Sequence, residues 1–173
     1  SYMFYKNILE TVPIFMYGSV SLFTGTQIYN SLLYVSFNLF FTALPILWFS
    51  TMDYEYPKHI IIRRPRLYKI GLENVYFNKW VFWRWIFYAF WQSSLILFLA
   101  YYTLDSLSPD ESGKFGGVFM AGEFIFGSLV IVSNMKIMIS SYLISGWMLF
   151  LVIGSTVFYM LCYIVISYSL TNS

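Results

Sequence analysis

Long apolar stretches, separated by shorter polar connections, make up most of this chain. A helix needs about 20 apolar residues to cross the hydrocarbon core of a bilayer, and five stretches approach or exceed that length. They cover residues 2–23, 31–50, 79–104, 117–139 and 147–168. Strict alternation of apolar and polar positions, the pattern typical of strands, is not sustained anywhere in the sequence. The pattern therefore predicts an all-α fold, a polytopic transmembrane bundle of about five helices.

Segment 51–78 is the longest polar interruption, and it predicts the orientation of the bundle. Six of the chain's ten Lys and Arg residues lie between Lys58 and Lys79. Basic residues collect on the cytosolic side of membrane proteins, so we expect 51–78 to be a cytosolic loop. Segment 105–116 carries three acidic residues and one lysine, which fits an exoplasmic loop.

The composition excludes several classes of function. The chain is 59% hydrophobic and 10% charged, with a net charge of +2, whereas soluble domains carry roughly 25% charged residues. That charge is too small and too scattered for a nucleic-acid-binding protein. The single cysteine, Cys162, and the single histidine, His59, exclude an internal disulfide and a multi-histidine metal site. Since the sequence has no phosphate-binding loop and no carboxylate cluster for Mg²⁺, we predict no catalytic or metal site in this chain.

The second apolar stretch contains an amide, a hydroxyl and a proline among its apolar residues. Asn38 and Thr42 are four residues apart and therefore share one face of a helix. Pro45 has no N–H, which loosens the helix and leaves the Phe41 carbonyl in need of another partner. Two interpretations stay open for Asn38 and Thr42: hydrogen bonds to a neighbouring helix, or the wall of a polar cavity that holds a transported group.

The first and fourth stretches also carry polar residues. Lys6 and Glu10 are four apart and could pair with each other on one helix face. In the fourth stretch, the interpretation that we favour for Asn134 is an interhelical hydrogen bond. Small residues there and in the last stretch predict close helix packing, namely Gly122, Gly127, Ser128, Gly154, Ser155 and Thr156. The pattern assigns no role to Glu10, Pro13 or Glu123.

Four short motifs resemble, in order, those of phospholipid-transporting P-type ATPases, the lipid flippases. Phe-Tyr-Lys-Asn at 4–7 resembles a motif of the fifth transmembrane helix, and Phe-Asn-Leu-Phe-Phe-Thr-Ala-Leu-Pro at 37–45 resembles one of the sixth. Pro-Arg-Leu-Tyr-Lys at 65–69, with Phe-Asn at 77–78, resembles the loop after the sixth helix. Val-Ser-Asn-Met-Lys at 132–136 resembles the end of the eighth helix. By this resemblance the chain is the C-terminal part of a flippase membrane domain, helices five to nine.

The resemblance implies a function for the polar residues. A flippase uses ATP and Mg²⁺, bound elsewhere in the enzyme, to move a phospholipid from the exoplasmic to the cytosolic leaflet. Lys6 and Asn38 match positions implicated in headgroup passage, Asn7 and Thr42 lie in the same motifs as further candidates, and Pro45 would be a helix hinge. The resemblance also implies membrane lipids and an accessory glycoprotein subunit as partners. The expected location is a eukaryotic plasma, Golgi or endosomal membrane.

Two other functions remain as alternatives. An ion-pumping P-type ATPase would place acidic residues in the second stretch, yet residues 32–49 contain no Asp or Glu. A non-catalytic anchoring or assembly subunit would use the same polar residues only for packing. The sequence starts at Ser1, enters a helix at once and shows no signal peptide, so we expect a piece of a longer polypeptide.

Overall fold

The computed structural model describes residues 2–54, 56, 58–63, 78–104, 116–142 and 145–171. The ordered elements in these ranges are all helical: α1 (Tyr2–Val20), α2 (Ser31–Ser36), a π-helical turn (Phe37–Phe41), α3 (Ala43–Met52), α4 (Lys58–Arg63), α5 (Lys79–Leu104), α6 (Gly116–Ser140) and α7 (Gly146–Thr171). Most of the predicted cytosolic loop 51–78 and of the exoplasmic loop 105–116 lies outside the described residues.

Four helical segments are long and apolar enough to cross a membrane. They are Ser31–Met52, Lys79–Thr103, Met120–Ser140 and Gly146–Tyr168. Helix α1 is 19 residues long and more polar than these four, because its first half contains Lys6, Asn7 and Glu10. It ends at Val20, three residues before the end of the apolar stretch. The all-helical arrangement and the four apolar segments agree with the predicted membrane bundle of about five helices.

The bundle is built around α6. Helix α1 packs along α5, while α5, α7 and the second span lie against α6. At the centre, the ring of Phe126 meets those of Tyr29, Phe37, Phe41 and Tyr159, with ring centroids 5.2–6.3 Å apart. Such aromatic pairs contribute about 0.5–1.5 kcal/mol each beyond their burial. Close packing matters in a bilayer because lipid tails are as apolar as the helices, so the hydrophobic effect contributes little to helix association.

Two glycines of α6 allow this close packing, as predicted. A Cβ at Gly122 would lie 1.8 Å from the carbonyl oxygen of Ile28, so the connection between α1 and α2 passes directly over the helix backbone. A Cβ at Gly127 would lie 2.9 Å from the Tyr159 ring on α7. Gly154 is different, because a Cβ there would meet nothing within 4 Å.

Asp53, just after α3, joins the second span to the turn that follows α6. Its Oδ1 accepts a hydrogen bond from the Ser141 hydroxyl (2.9 Å), and its Oδ2 accepts one from the Tyr142 N–H (3.3 Å). This contact lies at the end of the bundle where α3 ends and segment 58–63 begins. The opposite end, with the 21–30 connection, is called the distal end.

Candidate functional site

The second span changes helix type at the motif that contains Asn38, Thr42 and Pro45. Residues Phe37–Phe41 form a π-helical turn, and the Thr42 N–H donates to the carbonyl of Phe37, five residues back, at 3.1 Å. Thr42 itself has φ −125° and ψ −9°, outside the helical range, before α3 begins at Ala43. Single π-turns within α-helices often occur at functional sites.

The carbonyl of Phe41, which Pro45 cannot serve, is held by two other helices. Asn134 Nδ2 on α6 donates to it at 3.1 Å, and the Ser155 hydroxyl on α7 donates to it as well. Asn134 also donates to Ser155 Oγ at 3.1 Å. The prediction that Asn134 forms an interhelical hydrogen bond is therefore confirmed. These three residues form a clamp around the interrupted part of the second span.

Two hydrogen bonds join the second span to α1, and we call them the ladder. Lys6 Nζ donates to Thr42 Oγ1 at 2.9 Å, and Asn38 Nδ2 donates to Glu10 Oε2 at 3.3 Å. The spans run in opposite directions, so the four-residue spacing of Lys6 and Glu10 matches that of Thr42 and Asn38. Thr42 Oγ1 in turn donates to the Phe37 carbonyl at 2.8 Å, which ties the ladder to the π-helical turn.

The ladder residues differ in their exposure. Lys6 is 1% exposed, Thr42 0% and Glu10 2%, whereas Asn38 is exposed at the surface of this chain. Asn7 is exposed too, and its backbone carbonyl accepts a hydrogen bond from the Thr11 hydroxyl. Pro45 is buried. The structure thus brings Lys6, Thr42 and Asn38 together, and it places Asn7 outside the ladder.

Glu10 is the member of the ladder to which the sequence assigned no role. Its Oε2 accepts from Asn38, while its Oε1 is buried and has no hydrogen-bond partner among the described residues. A buried carboxylate without full hydrogen bonding is costly, so a second partner would stabilise it. The signal was present in the sequence: equal four-residue spacings in two antiparallel spans predict paired side chains. That pairing needs the register of the two helices, which only the structure supplies.

A cavity of about 630 Å³ lies at the distal end, between α1 and the 21–30 connection. Its lining includes Thr11, the residue after Glu10, and Tyr29. The Tyr29 side chain is 5% exposed, and its hydroxyl has no hydrogen-bond partner among the described residues. The buried, unpartnered hydroxyl of Tyr29 therefore belongs to a residue that lines this cavity, whereas Glu10 is not among the lining residues.

Two further polar side chains of α6 are engaged within the bundle. Lys136 Nζ lies 5.0–5.8 Å from the ring centroids of Tyr5, Trp85 and Tyr88, which together form an aromatic cage for the ammonium group. Nearer the distal end, the Tyr159 hydroxyl donates to the Glu123 carbonyl at 2.8 Å and lies 3.4 Å from its Oε2. Neither contact follows from spacing along the sequence, because the partners come from other helices.

Within the part of the chain that the structure describes, no three His, Cys, Asp or Glu side chains converge on a point that could hold a metal ion. Among the described residues, the carboxyl groups that are buried are those of Glu10 and Glu123, which contact Asn38 and Tyr159 respectively. The described residues therefore offer polar contacts for a ligand, and they do not offer a cation site built from carboxylates.

Comparison with known proteins identifies a family and several relatives. The family model "Phospholipid-translocating P-type ATPase C-terminal" matches residues 1–173. The chain is 29% identical over 173 residues to Phospholipid-transporting ATPase 10 of Arabidopsis thaliana, an overlap of 99% of this chain and 14% of that protein. It is 28% identical over 158 residues to Phospholipid-transporting ATPase IG of Homo sapiens, covering 91% of this chain and 14% of that one.

A third relative bears a different name. Guanylate cyclase alpha of Plasmodium falciparum is 28% identical over 155 residues, which are 90% of this chain and 4% of that protein. The chain thus spans only a small part of the length of each of these three relatives.

Proposed function

This chain belongs to the family of C-terminal segments of phospholipid-translocating P-type ATPases, and from that premise we propose that it is part of the membrane domain of an ATP-driven lipid flippase. In this proposal its ladder residues line the route by which a phospholipid headgroup passes from the exoplasmic to the cytosolic leaflet. Lys6 and Asn38 are the principal contacts, with Thr42 as the resting partner of Lys6. Asn7 is a further, more peripheral contact.

The observation that carries the proposal is the ladder, in which the buried side chains of Lys6, Thr42 and Glu10 and the exposed Asn38 make polar contacts between two membrane spans. A charged headgroup crosses hydrocarbon only if protein groups replace the water that it loses. The Lys6 ammonium suits a phosphate oxygen, and the Asn38 amide offers both donors and an acceptor. Asn38 is exposed while Lys6 is sealed, so the headgroup meets Asn38 first and reaches Lys6 when the Lys6–Thr42 bond opens.

The π-helical turn and Pro45 support this opening. A helix interrupted at Thr42 bends there at lower cost than a continuous one, because its backbone hydrogen bonds are already redirected. The clamp from Asn134 and Ser155 holds the Phe41 carbonyl in place, so α3 stays attached to α6 and α7 while α2 moves relative to α1. We therefore assign Pro45 the role of hinge.

ATP and Mg²⁺ act elsewhere in the proposed enzyme. The described residues do not fit a Mg²⁺ site, and the sequence has no nucleotide-binding motif. The chain contributes headgroup contacts and a movable span, and its part in the transport cycle depends on the phosphorylated domain to which it is joined. Membrane lipids and an accessory glycoprotein subunit are the proposed partners, in a multi-pass protein of the plasma, Golgi or endosomal membrane.

The test uses the full-length enzyme, purified or in cells, with Lys6→Ala and Asn38→Ala as the variants. We expect each to lower lipid-stimulated ATPase activity and the uptake of labelled lipid, and to leave phosphorylation by ATP intact. Ser19→Ala and Ser36→Ala are matched controls, since each hydroxyl bonds only a carbonyl of its own helix in the structure. Unchanged transport in both ladder variants would refute the proposal and favour an anchoring role.

A further inference from the structure

Glu10 changes the charge of the proposed headgroup route. Lys6 brings one positive charge between the spans, and Glu10, one helical turn along α1, brings one negative charge. Both side chains are nearly fully buried, at 1% and 2% exposure. A route with Lys6 alone would favour anionic ligands. A route with both groups has a net charge close to zero and presents one positive and one negative group.

The two groups bond different side chains of the second span. The Lys6 ammonium and the Glu10 carboxylate each hydrogen-bond a neutral side chain of the second span, Thr42 and Asn38 respectively. Glu10 Oε1 is buried and without a hydrogen-bond partner in the described ranges, so it still has acceptor capacity. A cationic nitrogen is the group that would benefit most from a buried, incompletely bonded carboxylate.

The distal cavity begins at Thr11, the residue of α1 that follows Glu10. Thr11 and Tyr29 both line it, and the Tyr29 side chain ends in a hydroxyl that is buried in the bundle. That hydroxyl also lacks a hydrogen-bond partner among the residues described.

We propose that Glu10 is a specificity-determining residue that binds the cationic nitrogen of a zwitterionic phospholipid, while Lys6 binds its phosphate. The inference rests on the proposed function. It names the substrate class: a headgroup with one phosphate and one ammonium group, such as phosphocholine or phosphoethanolamine, over anionic headgroups that lack a nitrogen. The net charge of such a headgroup is zero, which matches the compensated charge of the route.

The experiment compares two lipids in the full-length enzyme reconstituted in vesicles. Phosphatidylcholine carries the ammonium group, and phosphatidylglycerol carries the same phosphate without one. In the unmodified enzyme we expect phosphatidylcholine to be the better substrate. Glu10→Gln keeps the size of the side chain and a possible hydrogen bond to Asn38 but removes the charge. We expect it to lower kcat/KM for phosphatidylcholine by about tenfold or more, the effect of losing one charge-assisted hydrogen bond, and to leave phosphatidylglycerol unchanged or improved.

Glu123→Gln is the matched control, because Glu123 is also a buried carboxyl group of the bundle but contacts Tyr159 on α7. It is expected to leave the ratio of the two lipids unchanged. The double variant Lys6→Gln/Glu10→Gln separates recognition from charge compensation. If Glu10 only compensates Lys6, the single Glu10→Gln variant affects both lipids equally and the double variant regains transport. If Glu10 binds the nitrogen, the double variant transports phosphatidylcholine less well than either single variant.

The outcomes also separate this inference from the proposed function. Loss of transport in Lys6→Ala, with equal effects of Glu10→Gln on both lipids, would overturn the role of Glu10 and keep the flippase assignment. No effect of either variant on any lipid would overturn both. Phosphorylation by ATP in each variant reports whether the enzyme is folded, so a misfolded variant is replaced by Glu10→Asp, which keeps the charge and shortens its reach. Restored lipid preference in Glu10→Asp relative to Glu10→Gln supports the inference, and equal loss of preference in both contradicts it.

Discussion

The replacement Gly122→Ala is expected to destabilise the bundle at its distal end. The new Cβ would lie 1.8 Å from the Ile28 carbonyl oxygen and 2.9 Å from the carbonyl carbon. Non-bonded carbon atoms prefer separations of about 3.5–4.0 Å, so the Ile28 backbone would have to move by more than about 1 Å. Ile28 and its neighbour Tyr29 are buried against α6, and the Tyr29 ring packs on Phe126 at 5.2 Å. The movement would therefore disturb the packing of the whole connection.

Two opposing contributions determine how much Gly122→Ala changes the free energy of unfolding. Forcing extra volume into a packed interior costs typically about 1–3 kcal/mol. Alanine in place of glycine within a helix returns up to about 1 kcal/mol through its higher helix propensity. The expected net effect is a loss of roughly 1–2 kcal/mol, because the clash involves backbone and not the flexible end of a side chain.

Gly154→Ala is the control, since a Cβ at that position would meet nothing within 4 Å. There only the propensity term operates, and we expect a neutral or slightly stabilising change. The assay is thermal unfolding of the full-length protein in detergent, followed by fluorescence-detected size-exclusion chromatography. Gly122→Ala should melt below the unmodified protein and Gly154→Ala at or above it. Equal melting temperatures for the two variants would refute the close passage of Ile28 over α6.

Three further replacements test the clamp, the hinge and the aromatic cage. Asn134→Ala removes two interhelical hydrogen bonds, each worth about 0.6 kcal/mol in a membrane, so it should lower the free energy of unfolding by roughly 1 kcal/mol. The melting temperature in detergent measures this loss, and an unchanged melting temperature would argue against the clamp. Pro45→Ala restores an N–H to α3 and should raise the melting temperature while it lowers the maximal lipid-stimulated ATPase rate, and a faster enzyme would contradict the hinge. Lys136→Met keeps the length of the side chain but removes the cation from the aromatic cage, which should lower the free energy of unfolding by about 1–2 kcal/mol. Lys136→Arg retains a cation and should recover most of that loss in the same melting assay.

The helical framework was predictable because hydrocarbon imposes a simple rule. Every backbone group in a span needs an internal partner, so long apolar stretches become helices whatever their neighbours are. The same rule predicted that Pro45 would leave the Phe41 carbonyl in need of a partner. It could not say that Asn134 and Ser155 would supply that partner, because both lie more than 90 residues away along the chain.

The candidate site was predictable only in part. Lys6, Asn38 and Thr42 stood out as polar groups in apolar surroundings, and the motifs pointed to them. The π-helical turn was not predicted, and two of its residues, Phe37 and Phe41, pack their rings on Phe126 of α6, a contact that the sequence does not reveal. Glu10 was visible as a charge without a role, and the aromatic cage of Lys136 was missed because its rings come from α1 and α5. In each case the missing information was the relative placement of helices.

The ladder has a geometric property that follows from its matched spacings. Because a helix rises about 1.5 Å per residue, the four-residue spacing amounts to about 6 Å, and sliding α1 by that distance past its neighbour carries Lys6 from Thr42 to the level of Asn38. Its ammonium group would exchange a hydroxyl oxygen for an amide oxygen and would not be left bare in the membrane. A buried lysine can thus move along the interface between the two spans and find a polar hydrogen-bond partner at both positions.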